Sequence, residues 1–160
     1  YIRRQIKFTT QLMKSYFFLL LILLFISCNN EDSTNKIQTE EDILQYIEDH
    51  NLVAKKSNSG LYYVIETQGE GAKPNSNSNV TVNYKGYYLN GTVFDQSNSE
   101  GISFNLQQVI AGWTEGITYF NEGGEGILLI PSQLGYGSNN YNGIPGGSVL
   151  VFDIKLLKVN

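Results

Sequence analysis

Residues 80–97 read VTVNYKGYYLNGTVFDQS, and this stretch carries the strongest signal for the fold. Val80, Val82 and Tyr84 alternate with polar residues, which is the period of a β-strand with one buried face. The Asn90-Gly91 pair that follows tolerates the positive φ angles of a type I′ turn. The stretch therefore predicts two antiparallel strands joined by a tight hairpin.

The same period of two continues on both sides of this hairpin. Leu61, Tyr63 and Ile65 alternate with their neighbours before it, and a further strand is predicted from about residue 126 to residue 130. Residues 149–159 form a long and nearly continuous apolar strand. Most of the folded part is therefore predicted to be an antiparallel sheet.

One segment interrupts the β pattern with helical spacing of its apolar residues, namely Val109, Ile110, Trp113 and Ile117. This spacing places an apolar stripe on one side of a short helix. The predicted fold class is therefore α+β, an antiparallel sheet that closes over one short α-helix.

A second helix is predicted ahead of the sheet, from about residue 40 to residue 50. Thr39 supplies a capping hydroxyl and acidic residues follow it in the first turn, while Ile43, Leu44 and Ile47 recur at helical spacing. This amphipathic helix could pack against its own chain or pair with a second copy. Residues 39–59 are interpreted as this helix and a linker.

The N-terminal segment is typical of an export signal. An apolar run from Tyr16 to Ile26 follows basic residues, and its eleven residues suit a signal peptide but are too few to span a bilayer. The sequence Phe25-Ile26-Ser27-Cys28 resembles a bacterial lipobox, in which the cysteine carries the lipid. Residues 1–27 are thus interpreted as a signal peptide, with Met13 as a plausible true start.

Residues 28–38 are interpreted as the lipidated Cys28 followed by a flexible polar tether. The acidic pair Glu31-Asp32 lies soon after the cysteine. It resembles export signals of surface lipoproteins in Bacteroidetes, and it equally suits a plain solvated linker. The expected location is the outer membrane, anchored through the lipid, on its periplasmic or cell-surface side.

The charge of the chain argues against nucleic-acid partners. Four of the eleven basic residues lie before residue 15, whereas all fifteen acidic residues lie after residue 30. From Cys28 onward the formal charge is seven basic minus fifteen acidic residues, or −8. A surface this acidic gains nothing from counterion release on DNA or RNA, so no nucleic-acid binding is expected.

The sequence lacks the residues that several kinds of catalytic site require. The chain has one histidine, His50, and one cysteine, Cys28, so neither a nucleophilic triad nor a zinc site can be assembled. No phosphate-binding or dinucleotide-binding glycine pattern is present. No cofactor and no metal are expected. Asp95 and Asp153 could in principle form a glycosidase carboxylate pair, or they could be structural acids.

From about residue 60 to residue 160 the chain resembles an FKBP-type peptidyl-prolyl cis/trans isomerase. Five segments carry this resemblance in the expected order: Val80–Gly86, Gly91–Ser97, Gln108–Gly116, Gly135–Gly137 and Ile144–Asp153. The resemblance implies a half-barrel sheet wrapped around the helix, with a pocket between them for a proline ring. It also implies Xaa-Pro segments of polypeptides as substrates and macrolides as inhibitors.

The resemblance further implies which residues form the site. The catalytic set would be Tyr84, Phe94, Asp95, Ile110, Trp113, Tyr136 and Phe152. Additional contacts to the substrate would come from Phe104, Val109, Tyr141 and Ile144. Trp113 would form the floor, while the Ile110 N–H and the Tyr136 hydroxyl would donate hydrogen bonds to substrate carbonyls. The aromatic members could instead be plain core residues.

The proposed chemistry needs no nucleophile. Rotation about a prolyl bond faces a barrier of about 18–20 kcal/mol because amide resonance separates charge between oxygen and nitrogen. An apolar pocket disfavours that charge-separated form, and a reduction of about 6 kcal/mol would accelerate rotation roughly 10⁴-fold. The expected function is therefore assistance to the folding of exported proteins at the cell envelope. The alternatives are a non-catalytic module that holds proline segments, and a surface lipoprotein with a vestigial pocket.

Two departures from the family bear on specificity. Residues 98–100 read Asn-Ser-Glu where the family often has a basic residue, so a partner of that kind for Asp95 is missing. The loop after Tyr136 is one residue shorter, and Tyr141 occupies a position often given to histidine. Both changes concern substrate preference and inhibitor affinity more than the fold.

Overall fold

The computed structural model describes residues 37–160. The predictions for the signal peptide, for Cys28 and for most of the tether therefore lie outside the described residues. The helices and strands, in chain order, are α1 (Glu40–Asp49), β1 (Lys55–Lys56), β2 (Tyr62–Thr67), β3 (Asn79–Tyr88), β4 (Val93–Gln96), β5 (Ile102–Asn105), α2 (Ala111–Gly116), β6 (Glu125–Ile130) and β7 (Leu150–Val159).

The strands form one antiparallel sheet in the order β1-β2-β6-β7-β3-β4, and β5 also pairs with β3. The long strand β3 therefore has β7 along one edge, while β4 and β5 share the other edge. This sheet with its short helix α2 confirms the predicted α+β fold class.

Alternation along β7 gives the sheet two buried faces. Leu150, Phe152 and Ile154 belong to a core that includes Trp113 of α2. Val151, which lies between the first two, instead packs with residues of α1 on the opposite face. Because successive side chains of a strand point to opposite faces, the two helices cover the two sides of the sheet.

Helix α1 begins where the sequence predicts. Thr39 and Asp42 form a reciprocal capping box, in which the Thr39 N–H donates to Asp42 Oδ2 at 2.7 Å. Ile43 and Tyr46 are buried against the sheet. The helix thus packs against its own chain. His50 ends the helix, and its Nδ1 lies 2.8 Å from the Tyr46 carbonyl oxygen.

The hairpin at residues 90–91 joins β3 and β4 as predicted, but the expected turn type was wrong. Only Gly91 has a positive φ angle there, at 82°, whereas a type I′ turn needs two such residues. The Gly91 N–H donates to the Tyr88 carbonyl at 2.8 Å, and the pairing shifts register between Gly86 and Tyr87. The hairpin therefore closes with a shift in the pairing of β3 and β4 and without a two-residue type I′ turn.

The predicted central helix is shorter than its apolar stripe. Helix α2 covers only Ala111–Gly116, and Ile110 is its N-cap residue in an extended conformation. Val109 precedes it, and Ile117 starts a separate 3₁₀ turn. Val109, Ile110, Trp113 and Ile117 thus form one apolar stripe although they do not belong to one helix.

Among residues 37–160, no helix combines the length and apolar character needed to cross a bilayer.

We expect Gly126→Ala to destabilise the fold, because a Cβ atom at Gly126 would lie 2.0 Å from the Val64 carbonyl oxygen across the β2–β6 pairing. The backbones must separate to accommodate it, at a cost of about 3 kcal/mol in the free energy of unfolding. Urea unfolding of the full chain measures this cost. The matched control Lys158→Ala, at an exposed position of β7, should change it by less than about 0.5 kcal/mol. Equal urea midpoints for Gly126→Ala and Lys158→Ala would contradict the close backbone contact between Gly126 and Val64.

Candidate active site

A cavity of about 560 Å³ opens between helix α2, the strands β3, β4 and β7, and the loop that precedes β7. Its walls are mainly aromatic and aliphatic, with a few polar groups at the edge. The lining residues are Tyr84, Phe94, Asp95, Ile102, Phe104, Gln108, Val109, Ile110, Trp113, Tyr136, Tyr141, Asn142 and Phe152.

The floor of the cavity is the indole ring of Trp113, which is only 7% exposed. Phe152 meets it edge to face with ring centroids 5.1 Å apart, and Tyr84 does so at 4.9 Å. Phe104 lies at 5.3 Å on another side. The indole Nε1 is buried without a hydrogen-bond acceptor in the described part of the chain. Three aromatic rings thus pack around the indole as a whole.

One wall depends on the absence of a side chain at Gly86. Phe94 and Phe152 meet at 90° with centroids 5.6 Å apart, directly over the backbone of β3. A Cβ atom at Gly86 would lie 2.7 Å from Phe152 Cε1 and 2.8 Å from Phe94 Cε2. Both rings can therefore approach the sheet only because residue 86 is glycine.

A hydrogen-bonded pair forms the polar edge of the cavity. The Tyr84 hydroxyl donates to Asp95 Oδ2 at 2.6 Å, and the Gln96 N–H donates to Asp95 Oδ1 at 2.9 Å. Burial raises the pKa of Tyr84 far above its usual range, and the Asp95 carboxylate adds to this shift. The phenol therefore keeps its proton at neutral and mildly alkaline pH, so Tyr84 stays the donor and Asp95 the acceptor.

The mouth of the cavity is formed by two stacked tyrosines. The rings of Tyr136 and Tyr141 lie 4.9 Å apart and within 11° of parallel. Tyr141 and Ile144 exchange two backbone hydrogen bonds, of 3.0 and 2.8 Å, around Asn142 and Gly143, which have φ angles of 45° and 84°. This is the type I′ turn geometry that the sequence predicted elsewhere. Here it holds Tyr141 over the opening.

Two hydrogen-bond donors lie at the cavity. Burial raises the pKa of Tyr136, and the nearby Tyr141 and Asp95 act in the same direction, so its hydroxyl stays protonated. The Ile110 carbonyl accepts from the Trp113 N–H at 2.9 Å and the Thr114 N–H at 3.1 Å. The Ile110 N–H, by contrast, donates to no acceptor among residues 37–160. Both donors could therefore serve a bound carbonyl oxygen.

The structure brings together all but one of the residues that the sequence nominated for the pocket. Ile144 is the exception, since it packs against the core and does not line the cavity. Trp113 and Phe152 belong to the core and also line the cavity, so they are core residues and pocket residues at once.

Three lining residues were missed, namely Ile102, Gln108 and Asn142. Asn142 precedes a glycine, so the same Asn-Gly signal that identified the hairpin at residues 90–91 was available for it. Ile102 is 43% exposed in a short strand, and Gln108 carries a polar side chain. Ile102 had no sequence signal, whereas Gln108 begins the third family motif and could have been found from it.

The carboxylate pair considered for glycoside hydrolysis does not meet in one site. Asp153 does not line the cavity, and its Oδ1 accepts from the Tyr87 hydroxyl at 2.8 Å. It follows Phe152 in β7, so the two side chains point to opposite faces of the sheet. Asp153 is therefore a structural acid. Within residues 37–160, no group of His, Cys, Asp and Glu side chains is suited to hold a metal ion.

Comparison with known families agrees with this geometry. Residues 70–157 match the sequence model of a family described as FKBP-type peptidyl-prolyl cis-trans isomerase, which is more than half of the chain. The chain belongs to this FKBP family. The predicted resemblance is thereby confirmed, and the cavity of the FKBP-type domain is its candidate active site.

Curated relatives and solved structures agree with the assignment. The chain is 45% identical over 107 residues to the FKBP-type isomerase FkpA of Escherichia coli, covering 66% of this chain and 40% of that protein. It is 49% identical to FkpA of Buchnera aphidicola from Schizaphis graminum, covering 65% and 42% respectively. The chain thus spans about two fifths of the length of these relatives.

Among solved structures, FkpA from Escherichia coli superposes with a TM-score of 0.69 at 39% identity, over 75% of this chain and 58% of that chain. A peptidyl-prolyl cis-trans isomerase from Pseudomonas syringae superposes with a TM-score of 0.67 at 31% identity, over 76% and 92%. The likeness therefore covers about three quarters of this chain.

We expect Gly86→Ala to disturb the cavity wall, because the added methyl would displace Phe94 and Phe152. The unfolding free energy should fall by about 1–3 kcal/mol. Trp113 is the only tryptophan of the chain, so its fluorescence reports directly on the displaced rings. Lys85→Ala, at an exposed position one residue away, is the matched control and should leave the emission unchanged. Identical emission spectra for Gly86→Ala and the wild type would refute the requirement for glycine.

Proposed function

We propose that this protein catalyses cis/trans isomerisation of Xaa-Pro peptide bonds in polypeptides. The observation that carries the proposal is the open, ring-lined cavity of an FKBP-family domain, with Trp113 as its floor. A proline ring is a compact apolar group, and the cavity offers it aromatic surfaces on several sides.

The cavity suits the chemistry of bond rotation. An amide moved from water into an apolar cavity loses stabilisation of its charge-separated resonance form, so its partial double bond weakens. The Ile110 N–H and the Tyr136 hydroxyl would hold the carbonyl groups that flank the rotating bond. Tyr84 and Asp95 would keep the edge of the cavity polar and fixed, since they bind each other at 2.6 Å. No step in this mechanism breaks a covalent bond.

A binding module is the second candidate, and the mouth of the cavity favours it. Tyr136, Tyr141 and Ile102 are 38%, 52% and 43% exposed and line the same cavity, so they form one exposed apolar patch of the kind that marks binding sites. Such a rim could hold a proline-containing segment without accelerating its isomerisation. Macrolide inhibitors of the family would compete for the same cavity in either case.

The isomerase proposal is tested with the purified full chain and a short Xaa-Pro peptide. We expect accelerated cis/trans relaxation, and we expect Phe94→Ala to lower kcat/KM by about tenfold or more, since it removes a wall of the cavity. Asp95→Ala should also lower it, because Tyr84 loses its acceptor. Glu70→Ala, an exposed acid in the loop after β2, is the control and should match the wild type. A folded wild-type chain that relaxes the peptide no faster than buffer would support the binding module instead.

We also propose a cellular setting, namely that the domain acts on exported proteins at the cell envelope. In this proposal residues 1–27 are a signal peptide, Cys28 carries a lipid, and residues 29–38 tether the domain to the outer membrane. Residues 39–59 then lead into the FKBP-type domain of residues 60–160. Support comes from the short apolar run, the preceding basic residues and the lipobox-like sequence before Cys28.

Lipidation has a separate test. Cys28→Ala expressed in a Gram-negative bacterium should leave the membrane fraction or remain uncleaved, because the lipid acceptor is gone. Ser33→Ala, in the same polar segment, is the control and should fractionate and incorporate labelled fatty acid as the wild type does. Incorporation of the label into Cys28→Ala would rule out the anchor at this residue.

A further inference from the structure

The residues just before α1 contact the loop that carries the cavity mouth. We call residues 136–148 the rim loop and Ile37-Gln38 the N-terminal strap. The Gln38 N–H donates to the Gly147 carbonyl at 2.9 Å, and the Val149 N–H donates to the Gln38 side-chain oxygen Oε1 at 2.6 Å. One residue of the strap therefore binds the base of the rim loop through both its backbone and its side chain.

The rim loop is closed at the same place. The Gly147 N–H donates to the Gly137 carbonyl at 2.8 Å, which joins the two ends of the loop. Gly137 follows Tyr136, one of the two stacked tyrosines at the mouth. A chain of hydrogen bonds thus runs from Gln38 through Gly147 to the residue beside Tyr136.

Close packing accompanies these hydrogen bonds. A Cβ atom at Gly147 would lie 2.9 Å from Ile37 Cγ1 and 3.0 Å from Ile37 Cα. The strap therefore lies directly against the backbone of the rim loop, at a position where φ is +78° and glycine is favoured.

The strap itself is held in place by α1. Its capping box begins at Thr39, one residue after Gln38, and Ile43 and Tyr46 fix the helix to the sheet. Glu40 Oε1 accepts from Lys56 Nζ and from the Tyr62 hydroxyl, each at 2.5 Å. Gln38 thus reaches the rim loop from a rigid support.

We propose that Gln38 is a positioning residue that fixes the rim loop and thereby sets the affinity of the cavity for proline-containing segments. This inference rests on the proposed function of the cavity. Without the Gln38 side chain, the Val149 N–H loses its acceptor, and the base of the loop is held by one strap hydrogen bond instead of two. Tyr136 and Tyr141 are then less well preorganised, so binding weakens. The floor and walls at Trp113 and Phe152 stay unchanged, so rotation of a bound segment proceeds as before.

The test compares three variants of the full chain. Gln38→Ala removes the side-chain acceptor, Gln38→Glu keeps an oxygen acceptor at the same place, and Gln45→Ala removes an exposed glutamine of α1 whose amide donates to Asp49 at 2.8 Å. The readouts are KM and kcat for an Xaa-Pro peptide, its Kd from the fluorescence of Trp113, and the melting temperature. The Kd separates binding from chemistry.

We expect Gln38→Ala to raise KM and Kd by about fivefold, the equivalent of one hydrogen bond, with kcat unchanged. Gln38→Glu should restore values near those of the wild type, and Gln45→Ala should match the wild type. KM and Kd within twofold of the wild type in Gln38→Ala would overturn the proposal. An equal loss in Gln38→Glu would overturn it as well, because the acceptor would then not matter.

A second pair of variants covers the case in which Gln38→Ala unfolds. Gly147→Ala adds a methyl against Ile37, whereas Gly123→Ala carries a similar φ of +86° with no atom within 4 Å. We expect only Gly147→Ala to raise the Kd, and equal values for both would contradict the role of the strap. A wild-type chain that binds the peptide without accelerating isomerisation refutes the enzyme but leaves these Kd comparisons decisive. A wild-type chain that binds no peptide refutes both proposals.

Discussion

The edge-to-face contact between Trp113 and Phe152 joins helix α2 to strand β7 and at the same time forms the base of the cavity. These rings are buried, yet space of about 560 Å³ stays open above them. An apolar void normally costs stability because its lining loses packing partners. Here Trp113 and Phe152 pack against each other, and Phe152 also packs against the backbone of Gly86, which has no side chain. The same packing therefore stabilises the fold and keeps the cavity open.

Local sequence patterns predicted the sheet because alternation is a local property. The strands β2, β3, β6 and β7 each have apolar residues at every second position, which depends on no distant partner. Turn geometry is different. The pair Asn90-Gly91 carries the same signal as Asn142-Gly143, yet only the second forms a type I′ turn. The pairing of β3 with β4 also shifts register next to Gly86, and a register depends on strands that meet only in the folded state.

The cavity residues divide along the same line. Those carried over from the family resemblance were predictable as a set, and the structure gathers all of them except Ile144 around Trp113. Ile102 is brought there only by the pairing of β5 with β3, whereas Gln108 begins the third family motif and reaches the cavity at the end of the 3₁₀ turn. Ile144 was assigned to the pocket from the family resemblance, but it packs against the core without lining the cavity. Contacts such as Val149 with Gln38, separated by 111 positions, leave no trace in a local pattern.

The start of β7 contacts the N-terminal strap, helix α1 and the cavity. Within four residues, the Val149 N–H binds the strap, Val151 packs with α1, and Phe152 forms a wall of the cavity. Because side chains alternate along the strand, the contacts of α1 and of the cavity lie on opposite faces of one rigid element. The helix before the FKBP-type domain is thus part of the framework of the cavity. It packs on the strand that builds the cavity, and it holds the strap against the loop that frames the opening.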